Sequence, residues 1–403
     1  MITELAQKIV RGSMRFFCIF PINKRRIIFN SQKGNQYACS PRAIYEYLED
    51  KYGSRLQYIW CLNTPTELLQ GKRYVKIVPY NSIRYFYYQM TSKVIISNIP
   101  SPCYVPRRKN QYMIDTWHGG GAYKKYGISA PRQMSLSDLK GFIKTSEASD
   151  NTKWELYKAY YNALDTSMFI SSCKSFTEAA LESQMIPREL FYEIGMPRND
   201  IFFKDYKAVG EKAKKKLGIG SDKKVILFAP TYRGNAKNQH YDMNLDIQMC
   251  LDAAKVRWDG DWVFVFRMHV LSNSLDKEKI PANAVNASHY DEMQELLCMA
   301  DVFITDYSSS QWDFALTRKP GFLFTPDLDY YLNEDRGFYT PIDDWAFPYA
   351  KTNEGLAELI QEYDEDRHLQ KVQKHLDLLG SCEDGHATEK VCEVIMKQLT
   401  INL

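Results

Sequence analysis

Apolar positions in the first half of the chain fall into short runs, separated by polar stretches with helical spacing. Residues 26–30, 56–62, 75–78, 93–97, 113–117 and 168–172 each read as a strand, several of them apolar throughout. Between them, 41–52 sets Ile44, Tyr45 and Leu48 on one helical face, a tyrosine-rich helix follows Ser82, and 175–184 reads as a helix. Strand alternating with helix predicts a parallel sheet with covering helices. The stretch 191–195 is short and strand-like, and Met196-Pro197 turns the chain away. A charged helix over 211–220, ending at Gly220, suits entry to a second domain. There, 224–229, 262–267, 302–304 and 321–325 read as four strands, each followed by a loop or helix, which predicts a second doubly wound unit. Helices are expected over 354–363, 367–379 and 388–399. Residues from about 122 to 165 break the rhythm, with Phe142, Trp154, Tyr157, Tyr160 and Tyr161 at loosely helical spacing, and read as a helical insertion. The expected division is a domain over 1–205 and a second over 206–403, whose last helix is a candidate to pack back on the first.

A chain of 403 residues has ample length for two cores. Its hydrophobic share of 45% and charged share of 25% are ordinary, so no disordered or fibrous class is indicated. A net charge of +3 gives no ground for nucleic-acid binding. Nine cysteines without a Cys-x-x-Cys pair suggest neither a zinc site nor a redox motif, and fit reduced thiols in the cytosol. No apolar run approaches the ~18–20 residues of a membrane-spanning helix. The N-terminus still carries Phe16, Phe17, Cys18, Ile19 and Phe20 between Lys8, Arg11, Arg15 and Lys24, Arg25, Arg26. Two readings stay open: an amphipathic segment on an anionic membrane surface, or phenylalanines packed under the first sheet.

Chemistry gathers at the predicted strand ends, where open α/β sheets bind ligands. His118 follows one strand and precedes Gly119, Gly120 and Gly121; Lys124 and Lys125 lie just beyond. Glycines let backbone approach a ligand, and an imidazole with an unperturbed pKa of about 6.5 can take a proton from a hydroxyl nucleophile. A Gly-rich turn with a structural histidine is the bland reading. Thr231 and Arg233 follow a strand of the second domain, Arg267 and His269 the next, and Asp306 with Ser308, Ser309 and Ser310 the next. Guanidinium and imidazole suit a diphosphate. Serines at a helix start either hold phosphate oxygens or cap the helix. Together these residues describe a site for an anionic ligand in a cleft between two domains. Neither a Walker loop nor a dinucleotide fingerprint is present.

Six segments in order resemble the CDP-glycerol glycerophosphotransferase family of teichoic acid and capsule enzymes. They are Trp117-His118-Gly119 with Lys124-Lys125, Gly195-Met-Pro-Arg-Asn-Asp200, Ala229-Pro-Thr-Tyr-Arg233, Arg267-Met-His269, Thr305-Asp-Tyr-Ser-Ser309 with Asp313-Phe314, and Arg336-Gly-Phe338. The resemblance implies an α/β, GT-B-like fold of two Rossmann-like domains facing a central cleft, with the nucleotide held mainly by the C-terminal one. It implies transfer of a polyol phosphate from a CDP-polyol to a hydroxyl of a lipid-linked or polymeric acceptor, releasing CMP. By resemblance His118 is the base, and Arg198, Pro230, Thr231, Arg267, Met268, His269, Ser308, Ser309 and Asp313 line the donor site, His269 also acting on the diphosphate. Arg198 and Asp313 rest on the resemblance alone. The family pattern His-Gly-Thr-Pro-Leu-Lys is replaced here by His118-Gly-Gly-Gly-Ala-Tyr-Lys124, one residue longer and lacking Thr and Pro, which leaves the donor and acceptor open. The large N-terminal extension of some family polymerases is missing, so a compact enzyme adding one unit, or a capsule-type transferase, is expected.

The expectation is thus a cytoplasmic enzyme, peripheral on the inner face of the membrane, using CDP-glycerol. The rivals are the same chemistry with CDP-ribitol or another CDP-polyol, a GT-B glycosyltransferase using a nucleotide sugar, and a degenerate nucleotide-binding partner of a capsule assembly. No cofactor is firmly implied: Asp306 and Asp313 could hold Mg²⁺, but no compact carboxylate cluster is legible.

Overall fold

The computed structural model describes residues 4–129, 150–231, 245–268, 284–335 and 337–399. They divide into two compact units: Met1–His118, Lys125–Asp200 and Ser381–Leu403 form one, Gly119–Lys124 and Ile201–Gly380 the other. The centre of the expected helical insertion, with Phe142, lies outside the described residues, as do Arg233, His269 and Arg336. The described end of that insertion is the helix Asp150–Asp165.

In the first unit β1 (Asn23–Asn30), β2 (Gln57–Cys61), β3 (Val75–Val78), β4 (Ser92–Ser97), β5 (Tyr112–Asp115), β6 (Met168–Ser171) and β7 (Phe191–Glu193) form one sheet in the order β3-β2-β1-β4-β5-β6-β7. Every pairing is parallel. Successive residues of a strand point to opposite faces, so a doubly covered sheet needs apolar side chains at consecutive positions. Ile27 and Phe29, Tyr58 and Trp60, Val94 and Ile96, and Ile114 enter the core against the helices Cys39–Tyr52 and Ala387–Leu399. Their neighbours Ile28, Ile59, Cys61, Ile95 and Met113 enter the other core, with Tyr85 of the helix Ile83–Thr91. Much of the aromatic richness sits in the first of these cores, where Phe29 stacks on Trp60 at 5.3 Å among Tyr37, Tyr45 and Tyr58.

The N-terminal helix Glu4–Ser13 leads into a 3-10 turn, Met14–Ile19. Met14 is buried, and Phe17 packs against the cluster of Met14, Met90 and Val105. Phe16 and Ile19 are 65% and 67% exposed, and Phe17 packs on a helix and a loop residue rather than on the sheet itself. Arg11 Nη2 donates to both carboxylate oxygens of Asp165 at 3.0 Å, which ties the segment down.

In the second unit β8 (Lys224–Phe228), β9 (Trp262–Phe266), β10 (Ala284–Asn286), β11 (Val302–Thr305), β12 (Gly321–Phe324) and β13 (Tyr349–Ala350) pair in the order β10-β9-β8-β11-β12-β13, again all parallel. Among the described residues the sheet thus has six strands rather than the four expected. The two extra strands are at the edges, and at three and two residues they are too short to carry a hydrophobic signature. Ile226, Phe228, Phe264, Phe266, Ile304 and Phe322 face the helices Ile247–Trp258 and Asn353–Gln361. The charged helix runs Tyr206–Lys216 rather than 211–220, because Asp205 accepts from Ala208 N and caps it earlier.

Candidate active site

Both sheets reverse their winding at one point, between β1 and β4 in the first unit and between β8 and β11 in the second. Ligands of doubly wound sheets bind beyond the carboxyl ends of strands at such points. In the second unit these ends are stitched together: Ala229 N donates to Ile304 O at 3.1 Å, Thr305 Oγ1 to Ala229 O at 2.7 Å, and Thr231 N to Asp306 Oδ1 at 2.8 Å. Asp306 is buried and holds the Pro230–Thr231 turn to β11. Beside it, Arg267 N donates to Phe228 O at 2.8 Å, Arg267 Nη2 to Asp291 O at 3.2 Å, and Met268 N to Ser288 Oγ at 3.1 Å.

After β11 the helix is Ser310–Ala315, six residues, with Ser309 in the N-cap position but making no side-chain cap bond. So short a helix contributes little dipole. Ser308 Oγ accepts from Ser310 N at 3.3 Å and from Ser310 Oγ at 2.8 Å. Trp312 and Phe314 are buried, and Asp313 accepts from Gln294 Nε2 at 3.1 Å. Asp306 and Asp313 both serve as acceptors inside the protein, and among the described residues no group of three or more His, Cys, Asp and Glu side chains could hold a metal ion.

The glycine loop is anchored in this same unit. Tyr339 N donates to Tyr123 O at 2.7 Å, Thr340 Oγ1 to Ala122 O at 3.1 Å, and Lys124 forms an antiparallel bridge with Phe338. A Cβ at Gly120 would fall inside the Trp312 indole, and Gly121, at φ +66°, faces the Tyr123 ring. Tyr123 stacks on buried His375. Since Asp344 O can only accept, His375 Nδ1 donates to it at 2.8 Å, and Nε2 receives the Tyr123 hydroxyl at 2.8 Å. Burial holds the His375 pKa down to about 4. Gly120 and Gly121 are thus a packing requirement of Trp312 and Tyr123, which a threonine or proline at 120 would violate.

His118 stands at the end of the first unit's part of this segment, exposed, three residues beyond β5. Asp115, fully buried with its pKa pushed by burial up to about 7, accepts Trp117 N at 2.9 Å. Trp117 takes φ +51°, the left-handed region that non-glycine residues seldom adopt. Its indole lies against the His118 ring at 4.5 Å. His118 Nδ1 lies 2.8 Å from Asn98 O. A carbonyl has no proton to give, so Nδ1 is the donor and Nε2 carries the basic lone pair.

Arg198 sits in the first unit, buried, with its N–H on Ser40 Oγ at 3.4 Å and Nη1 on Cys39 Sγ at 3.6 Å, at the start of the helix Cys39–Tyr52. Its neighbours in the Gly195–Asp200 motif clamp the last segment of the chain. Glu383 takes Met196 N at 3.0 Å and Asn199 Nδ2 at 2.9 Å, while Asp200 accepts Ala387 N and Thr388 N at 3.0 and 2.7 Å. The structure therefore brings Pro230, Thr231, Arg267, Met268, Ser308, Ser309 and Asp313 into the second unit with Gly119, Gly120 and Lys124, and puts His118 and Arg198 in the first. Sequence reasoning missed Asn98 and Asp115. Both lie at strand ends beside His118, which was the available signal.

Residues 13–397 match the family described as CDP-glycerol:poly(glycerophosphate) glycerophosphotransferase. The teichoic acid poly(glycerol phosphate) polymerase of Bacillus spizizenii is 30% identical over 95% of this chain and 94% of its own length. The polymerase of the same name from Staphylococcus epidermidis is 30% identical over 94% of this chain, which spans only 51% of that longer protein. Teichoic acid ribitol-phosphate enzymes also occur among the relatives. A solved structure of the wall teichoic acid polymerase TagF superposes with a TM-score of 0.80 at 26% identity, covering 97% of this chain and 94% of that one. With the two parallel sheets, that likeness bears out the expected GT-B-like α/β fold class. The chain belongs to the CDP-glycerol:poly(glycerophosphate) glycerophosphotransferase family.

Proposed function

We propose that this enzyme transfers glycerol phosphate from CDP-glycerol to a hydroxyl of a teichoic-acid-type acceptor, releasing CMP, with His118 as the base. The observation that carries this reading is an exposed imidazole at a strand end, its Nδ1 committed to a carbonyl, which makes Nε2 the basic nitrogen of the neutral ring. The acceptor O–H gives its proton to Nε2. The freed oxygen bonds to the glycerol-bearing phosphorus, and the bond from that phosphorus to the bridging oxygen breaks, its electron pair leaving on CMP. Thr231, Arg267, Ser308 and Ser309 of the second unit donate to the diphosphate, neutralising charge as it moves to the leaving group. Arg233 and His269 join the donor site as cations at strand ends, Met268 beside them, and Arg198 and Asp313 by family likeness alone. In this reading the N-terminal portion serves the acceptor and the C-terminal portion the nucleotide.

The test is CMP release from CDP-glycerol in the presence of a glycerol-phosphate-primed acceptor. His118→Ala lowers kcat by about 10²–10⁴, the usual share of a general base. Full activity in that variant sinks the assignment. CDP-ribitol in the same assay decides the donor; ribitol-phosphate relatives make it the second reading.

The acceptor is lipid-linked in this reading, and the enzyme works at the cytoplasmic face of the membrane. Support comes from the N-terminal segment, where Ile9, Phe16 and Ile19 are more than half exposed beside the exposed cations Lys8 and Arg15. No described helix is long and apolar enough to cross a membrane.

A further inference from the structure

We infer that Asn98 is a positioning residue of the transfer: it selects the His118 tautomer that can act as base and fixes the direction in which Nε2 points. This rests on the reading of His118 as the base. Asn98 follows β4 at the point where the first sheet reverses its winding, and it is fully buried. Its carbonyl faces His118 Nδ1 at 2.8 Å. Its side chain hydrogen-bonds elsewhere and works on the carbonyl from behind. Asn98 Nδ2 donates to Ser31 Oγ at 3.1 Å, and Asn98 Oδ1 accepts Gln32 N at 3.0 Å. Both partners belong to the loop after β1, so the carboxamide ties the ends of β4 and β1 together. The neighbouring Ser97 is held the same way: Asn30 Nδ2 donates to Ser97 Oγ at 3.3 Å, and Ser97 Oγ to Ile99 O at 2.7 Å.

The chemical argument turns on which nitrogen is basic. A neutral imidazole left to itself prefers its proton on Nε2, where it cannot accept a proton from the acceptor hydroxyl. A fixed carbonyl at Nδ1 reverses that preference, because only the Nδ1–H tautomer can bond to it. The same bond strengthens once Nε2 has taken the proton, since the donor is then a cation. Two further contacts limit the ring's rotation: the Trp117 indole at 4.5 Å, and the Trp117 turn that Asp115 holds by its N–H. Within this assembly the Asn98 carbonyl distinguishes the two nitrogens by holding Nδ1.

The experiment pairs steady-state kinetics with ¹⁵N spectra of histidine-labelled enzyme, the His118 signals assigned by their loss in His118→Gln. In the wild type, Nδ1 reports as protonated and Nε2 as the bare nitrogen. In Asn98→Ala the pattern moves toward the Nε2–H tautomer, and kcat falls by about 10- to 100-fold, the scale of a misaimed catalytic group, with KM for CDP-glycerol within about twofold. Ser31→Ala, which removes one of the two ties, gives a smaller shift in the same direction and serves if Asn98→Ala does not fold. A wild-type tautomer pattern in a folded Asn98 or Ser31 variant overturns the inference, whatever happens to kcat. If His118→Ala proves active, the reading of the base fails, while the spectra still decide whether Asn98 governs the tautomer.

Discussion

Gly120 has no room for a Cβ, because the Trp312 indole occupies the space and is itself completely buried. Its φ is not among the positive ones, so the constraint is purely steric. Gly120→Ala must push the loop or the tryptophan, and overpacking of this kind costs about 1–3 kcal/mol. Urea denaturation of Gly120→Ala should show that loss, and Gly120→Ala with Trp312→Leu should recover part of it, the two changes being far from additive. Strict additivity would mean the indole yields freely and the glycine is not a packing requirement. The sequence made the glycines visible, either as a close backbone approach to a ligand or as a Gly-rich turn. What it could not reveal was their neighbour, since Trp312 is nearly two hundred positions away.

At the scale of elements, the helix Glu365–Leu379 carries an acid-sensitive pair. His368 and His375 are both buried, and burial lowers both pKa values to about 4. The folded pKa lies below the unfolded value of about 6.5, so the unfolded chain takes the proton first. Stability from each neutral histidine is full above about pH 6.5, declines as pH falls through the window between the two values, and stops declining near pH 4. At about pH 5 each should have lost about 2 kcal/mol. His375→Gln should therefore shrink the difference between unfolding free energies measured at about pH 7.5 and about pH 5 by roughly that amount, even if it is less stable at both. An unchanged difference would mean that His375 titrates normally in the fold. The helix itself was legible, and so were the buried central strands such as β8 and β11, which carry apolar residues at consecutive positions. Edge strands β10 and β13 were not, because pairing on one side needs little hydrophobic run. The Gly195–Asp200 motif was legible as a motif only. Family likeness sent Arg198 toward the donor, while the contacts around it show Asn199 and Asp200 gripping the chain's last segment through Glu383, Ala387 and Thr388.

For the molecule as a whole, the net charge of +3 is too small to draw it to an anionic surface, so the membrane docking proposed above has to come from where the cations lie. Lys8, Arg15, Lys24 and Arg25 are exposed along the N-terminal segment, which also exposes Ile9, Phe16, Ile19 and Phe20. Phe20 meets Tyr87 at 5.3 Å, and Arg108 Nη1 donates to Phe20 O at 2.8 Å, so the end of the segment is held on the first unit rather than trailing from it. A held segment that exposes both apolar side chains and cations suits a bilayer containing phosphatidylglycerol. Each basic residue near such a surface adds about 1 kcal/mol, and burying a phenylalanine or isoleucine adds about 1.5–3 kcal/mol if fully removed from water. The enzyme should therefore sediment with phosphatidylglycerol vesicles more than with phosphatidylcholine vesicles, and less so as salt shortens the screening length. Phe16→Ser with Ile19→Ser should weaken vesicle binding by about 10-fold or more while leaving turnover of a soluble acceptor intact, because these side chains bury little inside the fold. Binding that persists unchanged in that double variant would move the membrane contact off the N-terminus and toward the aromatic stretch around Phe142.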